Sequence, residues 1–322
     1  MGLKLMRVII RTPNWLGDAV FNLPFIIAVS KKQEVTIVCK EYLRELFWGF
    51  PTISFNSNSE LYKKHLKIGK KYDYYIVTPI SFSSALAAFL SRTPERIGFS
   101  LDARDFLLTK RIKIPREWKE RHTTETYALL YQELINEDKV KFELEIPEKY
   151  KLSASEILSS FDLLDKPYVC FSPFAQFGRA KEWGEENFME LANLLAKHGI
   201  KSVILGSKGD VKRSEIFKGV NYVNLTGKTS LWEAAEIARK GLAFIGGDSG
   251  LTHLSAMVGA KTLAIFGPTP VSWTSPIGKD VTIFYKKLNC SPCEKRKCRL
   301  RTKECMKLVK PAEVFEVIRQ RL

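Results

Sequence analysis

Leu242-Ala243-Phe244-Ile245-Gly246-Gly247-Asp248-Ser249-Gly250-Leu251-Thr252-His253 passes from an apolar run, through two glycines and an Asp-Ser-Gly turn, into the small-residue run Leu254-Ser255-Ala256-Met257-Val258-Gly259-Ala260. A buried strand that opens a helix in this way turns backbone N–H groups and the positive helix end toward an anion, the arrangement of a phosphate or pyrophosphate site. The carboxylate of Asp248 beside it could accept from ribose hydroxyls. A turn of this kind serves equally as a helix N-cap on Asp248 or Ser249, with the glycines shaping the turn.

The same rhythm extends in both directions from that stretch. Short β-branched or aromatic runs at 8–10, 35–38, 74–77 and 97–99 read as strands, and 19–29, 43–47 and 83–90 as helices. A helical segment at 123–136 leads into a charged stretch, 137–151, after which strands at 168–171, 202–205, 220–224, 242–245 and 262–266 alternate with helices at 185–198, 211–218, 230–240 and 253–258. Alternation of this kind specifies α/β architecture, parallel sheets covered on both faces. The expectation is two doubly wound domains joined near 161–167, with ligands beyond the carboxyl ends of the strands.

At 322 residues and 45% hydrophobic content the chain can bury two cores. The opening Met1-Gly2-Leu3-Lys4-Leu5-Met6-Arg7 runs straight into a strand, unlike a secretory signal, and the longest apolar stretches fall well short of the ~20 residues that span a bilayer. Cytoplasmic residence is the expectation. The net charge of +16 points to an acidic partner: nucleic acid, an anionic membrane face or a phosphorylated substrate. Scattered lysines fit a solvated surface, whereas Arg104, Lys110, Arg111, Lys113, Arg116, Lys119 and Arg121 crowd into one short region that would meet an anion.

Strand-to-loop junctions carry the candidate chemistry. After the first strand, Arg11-Thr12-Pro13-Asn14-Trp15-Leu16-Gly17-Asp18 places a carboxylate where it could take a proton from an attacking hydroxyl, or simply start a helix. The absence of GxGxxG here disfavours a nicotinamide oxidoreductase. After the strand at 168–171, Phe177-Gly178-Arg179-Ala180-Lys181-Glu182-Trp183 puts two cations on a loop suited to a diphosphate leaving group. Asp210 is a further acidic residue at a strand end.

Five segments in order, Asn14-Trp15-Leu16-Gly17-Asp18, Phe177 to Trp183, Leu225-Thr226-Gly227-Lys228-Thr229-Ser230-Leu231, Asp248 to His253 and Phe266-Gly267-Pro268-Thr269, resemble the motifs of the ADP-heptose:lipopolysaccharide heptosyltransferases, glycosyltransferase family 9. The tryptophan before Leu-Gly-Asp and the Phe-Gly-x-Ala-Lys-x-Trp loop are similar to the heptosyltransferase II branch. The resemblance implies a GT-B fold, two Rossmann-like doubly wound domains facing across a cleft. Residues 1–162 would bind acceptor, 163–310 the nucleotide sugar, and a terminal helix at 311–322 would pack back on the N-terminal domain. It also implies inverting transfer of heptose from ADP-heptose to the lipopolysaccharide inner core, with no cofactor required for catalysis. Matched by motif, Asp18 is the general base, Lys181 meets the donor diphosphate, and Asp248, Ser249, Gly250, Leu251 and His253 line the nucleotide site. Asp210 is a weaker match, to the ribose. Asn14, Arg104, Lys110, Arg111 and Arg121 fall on the acceptor side. Loose peripheral contact with the cytoplasmic face of the inner membrane follows from the acceptor's chemistry and the basic cluster.

The tail carries Cys290-Ser291-Pro292-Cys293, Cys298 and Cys305, a C-x2-C-x4-C-x6-C spacing unlike the familiar zinc patterns. Metal binding, disulfides and reduced thiols all stay open. Two other readings stand beside it: a nearby variant, a related GT-B transferase with another nucleotide sugar, and one of a different class, a basic nucleic-acid-binding protein. The second lacks aromatic residues interleaved among its cations and leaves the junction motifs unexplained, so no nucleic-acid partner is expected.

Overall fold

The computed structural model describes residues 5–101, 103–135, 140–219 and 221–320. The chain divides into two compact units, residues 1–141 and 142–322. In the first, strands β1 (Arg7–Arg11), β2 (Glu34–Lys40), β3 (Thr52–Phe55), β4 (Tyr74–Val77), β5 (Glu95–Phe99) and β6 (Lys110–Ile112) form one parallel sheet in the order β3-β2-β1-β4-β5-β6. Its helices are α1 (Leu16–Ser30), α2 (Asn58–Leu66), α3 (Phe82–Leu90) and α4 (Thr123–Tyr131).

The second unit repeats the plan. Strands β7 (Tyr168–Ser172), β8 (Lys201–Ile204), β9 (Tyr222–Asn224), β10 (Ala243–Gly247), β11 (Thr262–Phe266) and β12 (Val281–Tyr285) run parallel in the order β12-β11-β10-β7-β8-β9. Helices α5 (Glu148–Ser160), α6 (Glu185–Ala196), α7 (Val211–Ser214), α8 (Leu231–Lys240), α9 (Gly250–Met257), α10 (Val271–Thr274), α11 (Glu304–Lys307) and α12 (Pro311–Arg319) complete it. Read from β7, this is the strand order of the first unit, the doubly wound order whose direction reverses once. That reversal lies between β1 and β4 in the first unit and between β7 and β10 in the second.

Burial explains why these segments adopt these elements. The runs Val8-Ile9-Ile10, Phe244-Ile245 and Leu263-Ala264-Ile265-Phe266 are fully buried, as central parallel strands covered on both faces require. One layer of the second unit packs Phe171, Trp183, Phe188, Leu191, Val314 and Ile318; the other packs Ala154, Leu158, Val203, Leu225, Ile237 and Phe244.

Several boundaries differ from the sequence expectation. The units part at 141/142 rather than at 162/163, because α5 packs on α8 and buries Ala154 and Leu158 in the second unit. The terminal helix α12 packs on α6 of its own unit, with Val314 and Ile318 in that core. Residues 43–47, expected to be helical, lie in a 3-10 helix that begins two residues earlier, Glu41–Phe47. The helix expected at 123–136 covers Thr123–Tyr131, and that expected at 211–218 covers Val211–Ser214; residues 136–139 and 220 lie outside the described residues.

Candidate functional site

At the reversal point of the second unit, the loops after β7 and β10 meet. Gly246 and Gly247 end β10, and a Cβ on Gly247 would lie 2.5 Å from the Lys181 carbonyl oxygen, so only glycine lets the 3-10 turn Arg179–Lys181 rest on that strand end. The Lys181 ammonium consequently reaches Asp248 Oδ2 as an ion pair, while His253 Nε2 donates to Asp248 Oδ1 at 3.1 Å. All three side chains are largely buried, at 13%, 6% and 2% exposure. Burial by itself would raise the Asp248 carboxyl; the His253 hydrogen bond and the charges of Lys181 and His253 outweigh it and hold the group far below the usual carboxylate range. An ammonium has three N–H donors, so pairing with one carboxylate oxygen fixes Lys181 in place and leaves donors for a second anion.

Ser249 is the N-cap of α9, its hydroxyl accepting from the Thr252 N–H at 3.4 Å, and Thr252 Oγ1 donates to the Gly247 carbonyl at 2.6 Å. Gly250 and Leu251 form the first turn, where helix N–H groups point outward past the helix end. The strand-to-helix turn is thus a helix start capped by Ser249, with the Lys181–Asp248 ion pair beside it. Asp210 lies on the loop after β8: its Oδ2 accepts from the Ser207 N–H at 3.0 Å and the Ser207 hydroxyl at 2.6 Å, closing a capping box on a short 3-10 turn.

In the first unit Asp18 lies in the first turn of α1, which follows β1, with a half-buried side chain. Tyr127 on α4 donates its hydroxyl to Asp18 Oδ1 at 3.3 Å, and one turn along Tyr131 donates to Asn22 Oδ1 at 2.8 Å. Two tyrosines spaced i, i+4 thus meet two acceptors spaced i, i+4, which fixes the rotation of α1 and with it the Asp18 carboxylate. Asn14 is tied down as well, its Oδ1 accepting from Arg11 at 2.5 Å and its carbonyl from the Tyr42 hydroxyl.

The basic cluster separates into two kinds of residue. Arg104 is fully buried; its guanidinium donates to the carbonyls of Phe99, Pro79 and Ser81, so it braces the loops after β4 and β5 instead of facing solvent. The sequence expectation places Arg104 with the cations that meet an anion on the acceptor side; here its guanidinium is committed to backbone carbonyls. Lys110 pairs with Glu133 and Arg121 with Glu125, both partly exposed, while Arg111 is exposed on the edge strand β6.

A family model described as glycosyltransferase family 9 (heptosyltransferase) matches residues 62–304. The chain belongs to glycosyltransferase family 9. This family 9 enzyme is 28% identical to lipooligosaccharide heptosyltransferase 2 of Campylobacter jejuni strain 81116, over 98% of its own length and 99% of the relative's. It is 26% identical to lipopolysaccharide heptosyltransferase 2 of Escherichia coli K12, over 84% and 86%. Its fold matches the structure of E. coli ADP-heptose LPS heptosyltransferase II with a TM-score of 0.81, at 22% identity and 98% coverage of both chains.

Sequence reasoning passed over the supports of the glycosyltransferase's basic loop. Glu182 is buried and takes both guanidinium nitrogens of Arg213 at 2.8 Å, raising the Arg213 pKa, and Trp183 Nε1 donates to the Val309 carbonyl at 2.8 Å. Tyr127 was also passed over. A tyrosine buried at nine-tenths or more on a helix that is otherwise apolar and threonine-rich is the available signal, since such hydroxyls need partners. All six cysteines are free thiols, and among the described residues no three His, Cys, Asp or Glu side chains are grouped so as to hold a metal ion. Burial acts to raise the Cys298 thiol, but backbone N–H groups of Lys303, Leu300, Arg301 and Thr302 bring it below the ordinary range; Cys305 is pushed up by burial and by the other three tail thiols.

Proposed function

We propose that this glycosyltransferase transfers heptose from ADP-heptose to the acidic inner core of lipopolysaccharide, in a single displacement that inverts the anomeric carbon. Asp18 takes the proton of the acceptor hydroxyl as its oxygen bonds to the anomeric carbon; the bond from that carbon to the diphosphate oxygen breaks, and ADP departs with the electron pair. Lys181, locked by Asp248 and His253, neutralises the departing charge, with the first-turn N–H groups of α9 beside it. Of the observations that support the reading, the Lys181–Asp248–His253 chain at the strand reversal of the second unit carries it. A cation fixed at low exposure beside a capped helix start is built for a phosphate-bearing ligand.

The similarity to enzymes named heptosyltransferase 2 supports the choice of donor and acceptor class. Exposed Arg111, Lys113, Arg116, Lys119 and Arg121 suit an acceptor rich in carboxylates and phosphates, presented at the cytoplasmic face of the inner membrane. Among the described residues no helix is long and apolar enough to cross a membrane. The basic surface and the membrane-borne acceptor support a cytoplasmic enzyme in peripheral contact with that face. Calorimetric titration with ADP, UDP, GDP and NAD at matched salt tests the donor half. Selective ADP binding, weakened at least tenfold by Lys181→Ala, is expected; preference for UDP or GDP would keep the transferase and change its donor.

A further inference from the structure

The cysteine-rich segment 290–305 reaches the basic loop described above. The Arg296 carbonyl accepts from the Ala180 N–H at 3.2 Å, in the middle of the Arg179–Lys181 turn, and Lys303 Nζ donates to the Arg179 carbonyl at 3.3 Å. Gly178, at φ +151°, has no room for a side chain, because a Cβ there would lie 2.5 Å from the Arg296 carbonyl oxygen. The other end of the segment is fastened to the turn after β11. Cys293 and Glu294 donate their N–H groups to the Pro268 carbonyl at 3.0 and 2.7 Å, and Ser291 donates its hydroxyl to the Gly267 carbonyl at 2.5 Å. The segment therefore spans from the end of β11 to the loop after β7 and grips the backbone immediately ahead of Lys181.

The exposed Arg296 side chain occupies a defined place in this arrangement. Its guanidinium carbon lies 5.1 Å from the centroid of the Phe177 ring, and Lys181 Nζ lies 4.5 Å from the same centroid. One aromatic ring thus carries two cations, one locked by Asp248 and the other held over the ring from the tail. A diphosphate offers two charged groups, one for each of two cations set close together.

We propose that Arg296 is a second cation of the donor site, presented by the cysteine-rich segment to the diphosphate beside Lys181. This rests on the donor reading given above. The main-chain grip uses the Arg296 carbonyl, so replacing the side chain removes the charge and leaves the brace. Titration of the full-length protein with ADP and AMP compares wild type, Arg296→Ala, Arg296→Lys and the neighbouring exposed cation variant Lys295→Ala. Arg296→Ala is expected to weaken ADP about tenfold, in line with loss of a charge-assisted hydrogen bond, and AMP less than twofold. Arg296→Lys recovers most of the loss and Lys295→Ala binds as wild type, with thermal midpoints unchanged throughout. Wild-type ADP affinity in Arg296→Ala, or equal weakening of ADP and AMP, would overturn the assignment and leave the donor reading standing. A wild-type protein that fails to bind ADP removes both.

Discussion

An aspartate in the first turn of a helix can serve the helix or the reaction, and Asp18→Asn separates the two. As a mere helix-terminal acid, Asp18 is worth about 0.3–1 kcal/mol of stability through the helix dipole and nothing to turnover. As the base, its loss lowers turnover by roughly 10²–10⁴-fold with ADP affinity unchanged, so near-normal turnover in the variant would sink the assignment. Tyr127→Phe, which removes the 3.3 Å hydrogen bond while keeping the ring, is expected to lower kcat several-fold and leave the donor KM alone. A change confined to the donor KM would contradict that role. The thiols differ in the same testable way. Cys298, partly exposed and lowered, should be alkylated first by iodoacetamide, whereas Cys39, buried and pushed up to about 12, should stay unlabelled in the native protein. His65 makes the stability of the first unit depend on pH. It is buried, its Nδ1 bonded to the Leu61 carbonyl and its Nε2 accepting from the Tyr75 hydroxyl, and burial lowers its pKa from 6.5 to about 4. The folded value is the lower one, so this contribution is fully present above pH 6.5 and is lost as pH falls toward 4, about 3 kcal/mol in all. Urea unfolding of wild type should weaken across that window and that of His65→Gln should weaken less; identical profiles would contradict the account.

At the scale of elements, Gly247 is the most informative position. Gly247→Ala drives a Cβ into the Lys181 carbonyl, and the turn must move; a loss of about 1–3 kcal/mol in ADP binding is expected, with a smaller change in thermal midpoint. Unchanged affinity would show that the seat of the turn does not matter to the ligand. The central strands were legible in the sequence because they are buried on both faces and read as unbroken apolar runs. Three strands were not, β3, β6 and β12, and all three are sheet edges. Lys110-Arg111-Ile112 reads as charge before it reads as structure, as edge strands often do, whereas Val281–Tyr285 is a β-branched and aromatic run that the reading passed over. Helix α5 escaped for a similar reason, since it buries only Tyr150, Ala154 and Leu158, one residue per turn in a charged segment. Lys181 and Asp248 were each legible at a strand end; their pairing was not, because it depends on β7 lying next to β10, a fact of strand order that no local pattern records. Arg104 looked like its neighbours because composition does not say which arginine folds back onto carbonyls.

At the scale of the molecule, two units of one strand order carry a charge of +16. If that charge serves a membrane-bound acidic acceptor, the protein should sediment with phosphatidylglycerol vesicles at low salt and release at about 0.5 M salt, where screening shortens to a few ångströms. Equal binding to neutral phosphatidylcholine vesicles would contradict an electrostatic origin. The measurement closest to the central claim is a transfer assay that incubates the protein with a heptose-deficient lipopolysaccharide acceptor and either ADP-heptose or a UDP-sugar, reading the acceptor by mass spectrometry. The account predicts addition of one heptose from ADP-heptose alone, abolished by Asp18→Asn and weakened by Lys181→Ala. Addition from the UDP-sugar in its place, or addition that survives Asp18→Asn, would contradict it.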